Sequence, residues 1–327
     1  MACTWFNRST KAFSAVASAV ALFFAAVALG YVRRYSIPVA AAIGIYTCFL
    51  GLFLLLLVPG FFEIRRARAT GIGLLFCPYL IYAAATNSDF HWLAFGKLVL
   101  LASVPLAVFV FFPVREPDRF TWQDAVAWLW LMMPVILRLE TGIWTKPVNL
   151  DFMARLFTLG VAVWCWVVVR RTPGTGYRFS ISLFGLRAAI KHFALFAVIA
   201  LPLSSLLHLA VWNPRWQGFW KFCVDYITIF LFIALLEEFF FRGILQNLFA
   251  RTLGSRRRAQ AFASVAFGIS HILLAPAPNW RYAIVASIAG WFYGSVFAAT
   301  GTLMAPAMLH ALVDTVWRTW FGRGPAA

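Results

Sequence analysis

Three ionisable side chains, Glu237, Glu238 and Arg242, lie within six residues of one another in an otherwise apolar stretch. The stretch runs from about residue 226 to 250, which is long enough for a helix to cross the hydrocarbon core of a bilayer. A charge at that depth costs roughly 2.5–3.5 kcal/mol or more unless it is paired or faces a polar cavity. Groups this costly are typical of a functional site, so these residues are the first candidates for chemistry.

The spacing of the three residues separates one carboxylate from the other two groups. On a helix, Glu238 and Arg242 are four positions apart and share a face, where an ion pair lowers the cost of burying both. Glu237 is rotated by about 100° from Glu238 and points in another direction. We therefore predict a structural ion pair beside a free carboxylate that can act as a general base.

Two further apolar segments carry histidines. His271 lies in the segment 259–275, and His310 and Asp314 lie one helical turn apart on one face of the last segment. If the helices form a bundle, one polar cavity collects all six groups. A carboxylate there could deprotonate a water molecule, one histidine could hold that water, and the other could donate to a developing oxyanion. The set is typical of a hydrolase.

The motifs around these residues follow one another in a recognisable order. They read Glu237-Glu238-Phe-Phe-Phe-Arg242, Phe267-Gly-Ile-Ser-His271 and His310-Ala-Leu-Val-Asp314. On these motifs the chain resembles the CPBP (ABI) family of intramembrane glutamic endopeptidases, which includes the CAAX prenyl endopeptidases and the bacterial lysostaphin-resistance-like proteins. That family carries Glu-Glu-x-x-x-Arg, Phe-x-x-x-His and His-x-x-x-Asn or Asp on successive helices. The resemblance covers roughly residues 180–321.

The resemblance implies roles for the first two motifs and requires no cofactor. Glu237 and His271 would activate the attacking water. Glu238 and Arg242 would order the site. The substrate would be a membrane-associated protein or peptide, prenylated or bearing a sorting tail, cut near its C-terminus.

The third motif implies that His310 and the residue at 314 stabilise the oxyanion. Position 314 holds Asp, where the prenyl proteases have Asn. Asn donates hydrogen bonds directly, whereas an ionised Asp would repel an oxyanion. Asp314 could instead orient His310, as carboxylates commonly orient catalytic histidines.

Three alternative functions stay open at the level of the sequence. His271, His310, Glu237 and Asp314 are residue types that bind zinc, although no His-Glu-x-x-His is present. Intramembrane Glu, Arg and His could also relay protons in a coupled transporter, although no inverted repeat is visible. A scaffold or immunity protein could retain the fold without cleaving anything.

The composition identifies the class of protein that must position these groups. Of 327 residues, 63% are hydrophobic and 12% charged, and the mean hydropathy is +0.83, which is typical of a polytopic membrane protein. The net charge of +17 does not indicate nucleic-acid binding, because most basic residues lie in short clusters between apolar runs. Such clusters mark topology and contact with anionic headgroups.

Apolar segments can be marked along the whole chain and predict an all-α transmembrane bundle of about 10–11 helices. They lie near 12–32, 38–60, 71–86, 93–113, 122–139, 154–170, 189–212, 222–250, 259–275, 282–300 and 303–321. The basic stretch 171–178, with Pro and Gly, predicts an exposed connector. We therefore expect an accessory module over 1–170 and a protease domain with the catalytic bundle over 179–327.

The basic loops also predict an orientation. If all eleven segments span the membrane, a cytoplasmic N-terminus places the loops at 61–70, 170–178 and 251–258 in the cytoplasm. We expect a multi-pass protein of a bacterial inner membrane.

Overall fold

The computed structural model of the protein describes residues 3–61, 69–86, 90–145, 148–274 and 277–323. Within these residues the chain is almost entirely helical, which confirms the predicted all-α class. The strands of this part are two three-residue segments, β1 (Ala210–Trp212) and β2 (Phe321–Arg323), which pair antiparallel. The chain divides into two compact units, Met1–Val114 with Leu129–Arg171, and Arg115–Trp128 with Thr172–Ala327.

The first unit is a cluster of apolar helices. Its elements are α1 (Cys3–Tyr35), α2 (Val39–Phe61), a 3₁₀ segment (Ala69–Phe76), α3 (Cys77–Ala85), α4 (Trp92–Phe111), the second half of α5 (Trp122–Ile136), α6 (Met153–Val163) and its π-helical continuation (Trp164–Val169). Aromatic rings fill its core, where Phe53, Trp144 and Trp166 are almost fully buried. The Asp151 carboxylate accepts backbone N–H groups before α6, including that of Gly142 at 3.0 Å.

The second unit holds every residue of the three motifs. Its elements are the first half of α5, α7 (Leu183–Leu206), β1, α8 (Phe219–Ile229), a π segment (Phe230–Ala234), α9 (Leu235–Glu238), a second π segment (Phe239–Gln246), α10 (Asn247–Thr252), α11 (Arg256–Ser270), α12 (Trp280–Thr300), α13 (Met304–Trp320) and β2. The elements from α8 to α10 follow one another without a break. They form one long rod, Phe219–Thr252.

Six helices of the described chain are long and apolar enough to cross a membrane, which supports a multi-pass integral membrane protein. They are Lys11–Tyr35, Val39–Val58, Trp92–Phe111, Leu183–Leu206, Phe219–Thr252 and Trp280–Thr300. The other five of the eleven apolar segments form shorter helices. The 15 residues of α11, for example, reach only about 22 Å, against about 30 Å of hydrocarbon. The orientation stays a prediction, and the basic cluster at 65–68 lies outside the described residues.

Polar side chains fix where α11 and α12 begin. The Ser255 hydroxyl accepts from the backbone N–H of Arg258 and caps α11. The Asn279 side chain accepts from the N–H of Tyr282 and caps α12. Each cap satisfies a backbone donor that has no partner within the helix. The register of these helices, and with it the direction of their site residues, is therefore set locally.

Small residues let α11, α12 and the rod approach closely. A Cβ added to Gly268 of α11 would collide with the backbone carbonyl of Ala283 on α12. A Cβ on Gly290 would lie 3.1 Å from the backbone of Ser264. Glycine at such contacts is the usual way in which membrane helices pack backbone against backbone. This close approach brings the polar groups of separate helices within reach of one another.

The rod departs from α-helical geometry on both sides of the glutamates. The segments Phe230–Ala234 and Phe239–Gln246 are π-helical. The indole Nε1 of Trp128 donates to the carbonyl of Phe240 at 3.2 Å, within the second of them. π-helical turns inside α-helices are frequent at functional sites.

The stretch 171–178 is only partly exposed, whereas the sequence predicted an exposed connector. Three of its side chains are buried: Thr172, Thr175 and Tyr177. The Asn247 amide donates to the carbonyl of Pro173 at 2.8 Å, and the N–H of Leu303 donates to the carbonyl of Gly176 at 2.9 Å. Gly176 has φ +67°, a conformation that suits glycine. The Pro and Gly residues thus shape a loop that binds α10 and the start of α13.

Candidate active site

A buried ion pair forms the base of the site. Arg242 Nη1 lies 3.0 Å from Glu238 Oε1, and both side chains have no solvent exposure. Arg242 Nη2 also donates to the carbonyl of Gly290 at 2.9 Å. The guanidinium carbon lies 4.6 Å from the ring centre of Phe267 and 5.2 Å from that of Tyr293, at cation–π distance. The arginine therefore ties the rod to α11 and α12.

Glu238 holds a histidine as well as the arginine. Nδ1 of His310 lies 2.9 Å from the same Oε1 atom that contacts Arg242. An ionised carboxylate only accepts hydrogen bonds, so Nδ1 of His310 carries the proton. This contact fixes the ring orientation and directs Nε2 toward the remaining carboxylates. Glu238 thus acts as the positioning residue of His310.

Glu237 points to a different place from Glu238. Its Oε2 atom lies 3.9 Å from Nε2 of His271 and 3.8 Å from Nε2 of His310. These separations are too long for direct hydrogen bonds but suit one small molecule that bonds to all three atoms. Within the described residues Oε2 has no hydrogen-bond partner, and the side chain is 14% exposed. The carboxylate is thus available, beside two histidine nitrogens.

His271 directly follows the last residue of α11. Its Nδ1 lies 2.8 Å from the carbonyl of Phe267, one turn back, and 3.1 Å from the hydroxyl of Ser270. Because a carbonyl only accepts, Nδ1 carries the proton, and a neutral ring presents the Nε2 lone pair toward Glu237. The four-residue spacing between Phe267 and His271 therefore allows the histidine ring to donate to a carbonyl one helical turn before it.

Asp314 lies at the edge of the site. Its Oδ2 atom is 3.8 Å from Nε2 of His310, and the side chain is 31% exposed. The hydrogen bond that orients His310 comes from Glu238 and not from Asp314. The structure thus brings all six sequence-predicted residues together, with Asp314 on the more exposed side.

Two tyrosines of α12 line the site and were not among the residues predicted from the sequence. The Tyr293 ring stacks on His310, with centroids 4.7 Å apart and planes 18° from parallel. The Tyr282 ring lies 5.7 Å from His271. Tyr282 and Tyr293 are eleven positions apart, which is close to three full turns and places them on one face. That spacing is the signal by which the sequence could have indicated them.

Substitution of Tyr293 tests whether its ring positions His310. Tyr293→Phe keeps the stacked ring, and we expect it to retain most of the peptidase activity. Tyr293→Leu removes the ring, and we expect kcat to fall roughly tenfold to a hundredfold, because small displacements of a catalytic group are costly. The measurement is kcat and KM across pH for both variants. Equal activity of the two variants would show that the stacked ring does not position His310.

His192 and His91 belong to elements other than those that carry the three motifs. Nδ1 of His192 contacts the carbonyl of Ala188 within α7, and its ring lies against Phe292. His91 immediately precedes α4, where it makes no side-chain cap. Packing against Phe292 accounts for the position of the His192 ring.

Comparison with known proteins agrees with the geometry. Residues 219–316 match the family model described as Rce1-like, type II CAAX prenyl endopeptidase. The matched range contains the six residues described above. No curated protein and no solved structure matches the chain. The match confirms the resemblance to the CAAX endopeptidases and indicates a protease of the membrane.

Proposed function

We propose that this chain, whose residues 219–316 match the Rce1-like model of the type II CAAX prenyl endopeptidases, is a glutamate-dependent intramembrane endopeptidase. It hydrolyses a peptide bond near the C-terminus of a membrane-associated protein or peptide. The observation that carries the proposal is the position of Glu237 Oε2, which faces the Nε2 atoms of both histidines at 3.8–3.9 Å.

The first step is activation of water. A water bound between Glu237 and His271 loses a proton to the Glu237 carboxylate as its oxygen attacks the carbonyl carbon of the scissile bond. His271 can accept a hydrogen bond from that water at Nε2, because its Nδ1 proton is engaged by Phe267. Glu237 then returns the proton to the leaving amine.

The second requirement is a donor for the tetrahedral oxyanion. His310 donates from Nδ1 to Glu238, so it can also donate from Nε2 only as an imidazolium. Three carboxylates near the ring, those of Glu237, Glu238 and Asp314, stabilise that charged form. Asp314 acts by supporting the charge on His310, since an ionised carboxylate cannot donate to an oxyanion.

The depth of Glu237 along the membrane-spanning rod supports a substrate that is anchored in the membrane. Glu237 lies about 27 Å along the rod from Phe219, near its middle, if the rise is 1.5 Å per residue. A substrate anchored in the bilayer would reach this depth more readily than a soluble one. Whether the anchor is a prenyl group or a sorting tail, and what residues 1–170 contribute, stay predictions, as do the bacterial membrane and the orientation.

The test is cleavage of membrane-anchored peptides by the purified chain in liposomes. Prenylated and unprenylated peptides are compared with wild type and His271→Ala, with and without a strong zinc chelator. We expect cleavage by wild type that persists with chelator, and a loss of at least about a hundredfold in His271→Ala. Loss of activity with chelator and recovery with Zn²⁺ would instead establish the zinc alternative. Cleavage that is unchanged in His271→Ala would contradict the assigned site.

A further inference from the structure

A small cationic cavity lies at the end of α13, apart from the active site. Its volume is about 110 Å³, and three basic side chains line it: Arg215, Lys221 and Arg318. One acidic side chain, Asp225, also lines it and forms an ion pair with Lys221. Arg318 lies two turns beyond His310 on α13, about 12 Å away along the helix axis.

The walls of the cavity are held by backbone contacts around the two strands. The N–H of Arg215 donates to the carbonyl of Thr319 at 2.7 Å, and the N–H of Asn213 donates to the carbonyl of Trp320 at 3.0 Å. These bonds extend the pairing of β1 with β2 and join the segment before α8 to the end of α13. The two arginines are therefore held on a fixed backbone frame.

The charge of the cavity is unbalanced. Among the described residues, neither Arg215 nor Arg318 forms an ion pair within 4 Å, whereas Lys221 is engaged by Asp225. The lining therefore carries more positive than negative charge, although Arg318 also interacts at longer range with Asp314, one turn away on α13. A guanidinium presents a planar set of donors that fits the oxygens of a phosphate.

Exposed and stacked tryptophan rings surround the cavity, as at a membrane surface. The indole rings of Trp212 and Trp320 are stacked with centroids 5.8 Å apart, and those of Trp216 and Trp320 with centroids 5.7 Å apart. Trp212 is 65% exposed, and Trp220 is 80% exposed beside the start of the rod at Phe219. Tryptophans concentrate at the level of lipid headgroups, where a guanidinium can contact a headgroup phosphate.

We propose that this cavity binds the phosphate of an anionic phospholipid headgroup. Its volume is well below the roughly 300–1,000 Å³ of sites for drug-sized ligands, so it suits a headgroup phosphate rather than a folded peptide segment. The exposed rings of Trp212 and Trp220 lie beside the acyl chains of the bound lipid. The site would anchor the end of the helix that carries His310, which gives the lipid a place from which to influence catalysis.

The test measures lipid binding and does not depend on proteolysis. Full-length protein in neutral detergent is titrated with short-chain phosphatidylglycerol, phosphatidylcholine or inorganic phosphate. Bound lipid is counted by native mass spectrometry. Wild type is compared with the double variant Arg215→Gln/Arg318→Gln and with Arg115→Gln/Arg119→Gln. The second double variant removes two exposed arginines that lie just before α5, outside the basic clusters, and serves as the control.

We expect the affinity for phosphatidylglycerol to fall about fivefold for each cavity arginine removed, with little change in the control. Phosphatidylcholine should bind weakly to all three proteins. Circular dichroism and thermal unfolding show whether the variants fold. Equal binding by wild type and the cavity variant would overturn the proposal, and so would an equal loss in the control. Inorganic phosphate that binds as tightly as the lipid would overturn the assignment to a membrane source.

Discussion

We expect Glu237→Gln to abolish peptide hydrolysis and to leave the fold intact. The amide cannot take a proton from water, so we expect kcat to fall by about 10²–10⁴, the usual contribution of a general base. Oε2 of Glu237 has no hydrogen-bond partner within the described residues, so the exchange removes no structural bond at that atom. The measurement pairs kcat for an anchored peptide with thermal unfolding in the same detergent.

The matched control for this variant is Glu116→Gln. Glu116 pairs with Arg119 on the surface and its side chain is 63% exposed, so the same chemical change there should alter neither activity nor stability. If Glu237→Gln retained more than a small fraction of the wild-type kcat, the base would have to be another group. If the protein were a non-cleaving scaffold, Glu237→Gln would leave its function in cells unchanged.

Arg242→Leu destabilises the fold more than any surface substitution. The change leaves the Glu238 carboxylate buried without its cation and removes the donor to the carbonyl of Gly290. Breaking a buried ion pair by removing one partner typically costs about 3–5 kcal/mol, because the remaining charge stays desolvated. We expect activity to be lost as well, since Glu238 orients His310. The free energy of unfolding is measured by denaturant titration in detergent.

Two further variants separate the ion pair from a general loss of packing. Arg251→Leu removes an arginine whose partner Asp118 lies at the surface, and we expect a cost of at most about 1 kcal/mol. Glu238→Gln combined with Arg242→Leu removes the unpaired charge and should recover part of the stability lost in the single variant. Without such recovery, packing of the arginine against Phe267 and Tyr293 would account for the cost.

The two main predictions address different groups on one turn of the rod. Glu237→Gln should abolish peptide hydrolysis and leave the free energy of unfolding unchanged. Arg242→Leu should abolish hydrolysis and also lower the free energy of unfolding. The division follows from burial, because Glu238 and Arg242 have no exposure and Glu237 retains 14%. A variant series that moved activity and stability together at both positions would contradict it.

The sequence by itself determined the class of the protein, and it predicted the six residues that the structure brings together at the candidate site. The apolar composition requires a membrane bundle, because no soluble domain needs that much apolar surface. The pairing of Glu238 with Arg242 depends on neighbours along one helix, so four-residue spacing was enough to predict it. The caps at Ser255 and Asn279 are local for the same reason.

Only the tertiary structure decided what each site residue contacts. The sharing of Glu238 between Arg242 and His310 joins positions 72 residues apart, and no local spacing specifies it. The partial burial of residues 171–178 likewise depends on which carbonyls meet α10 and α13. Geometry along one helix is fixed by its backbone, whereas contacts between helices depend on how closely their faces pack. For this reason the motifs were visible in the sequence, but the contact of Tyr293 with His310 and the cationic cavity were not.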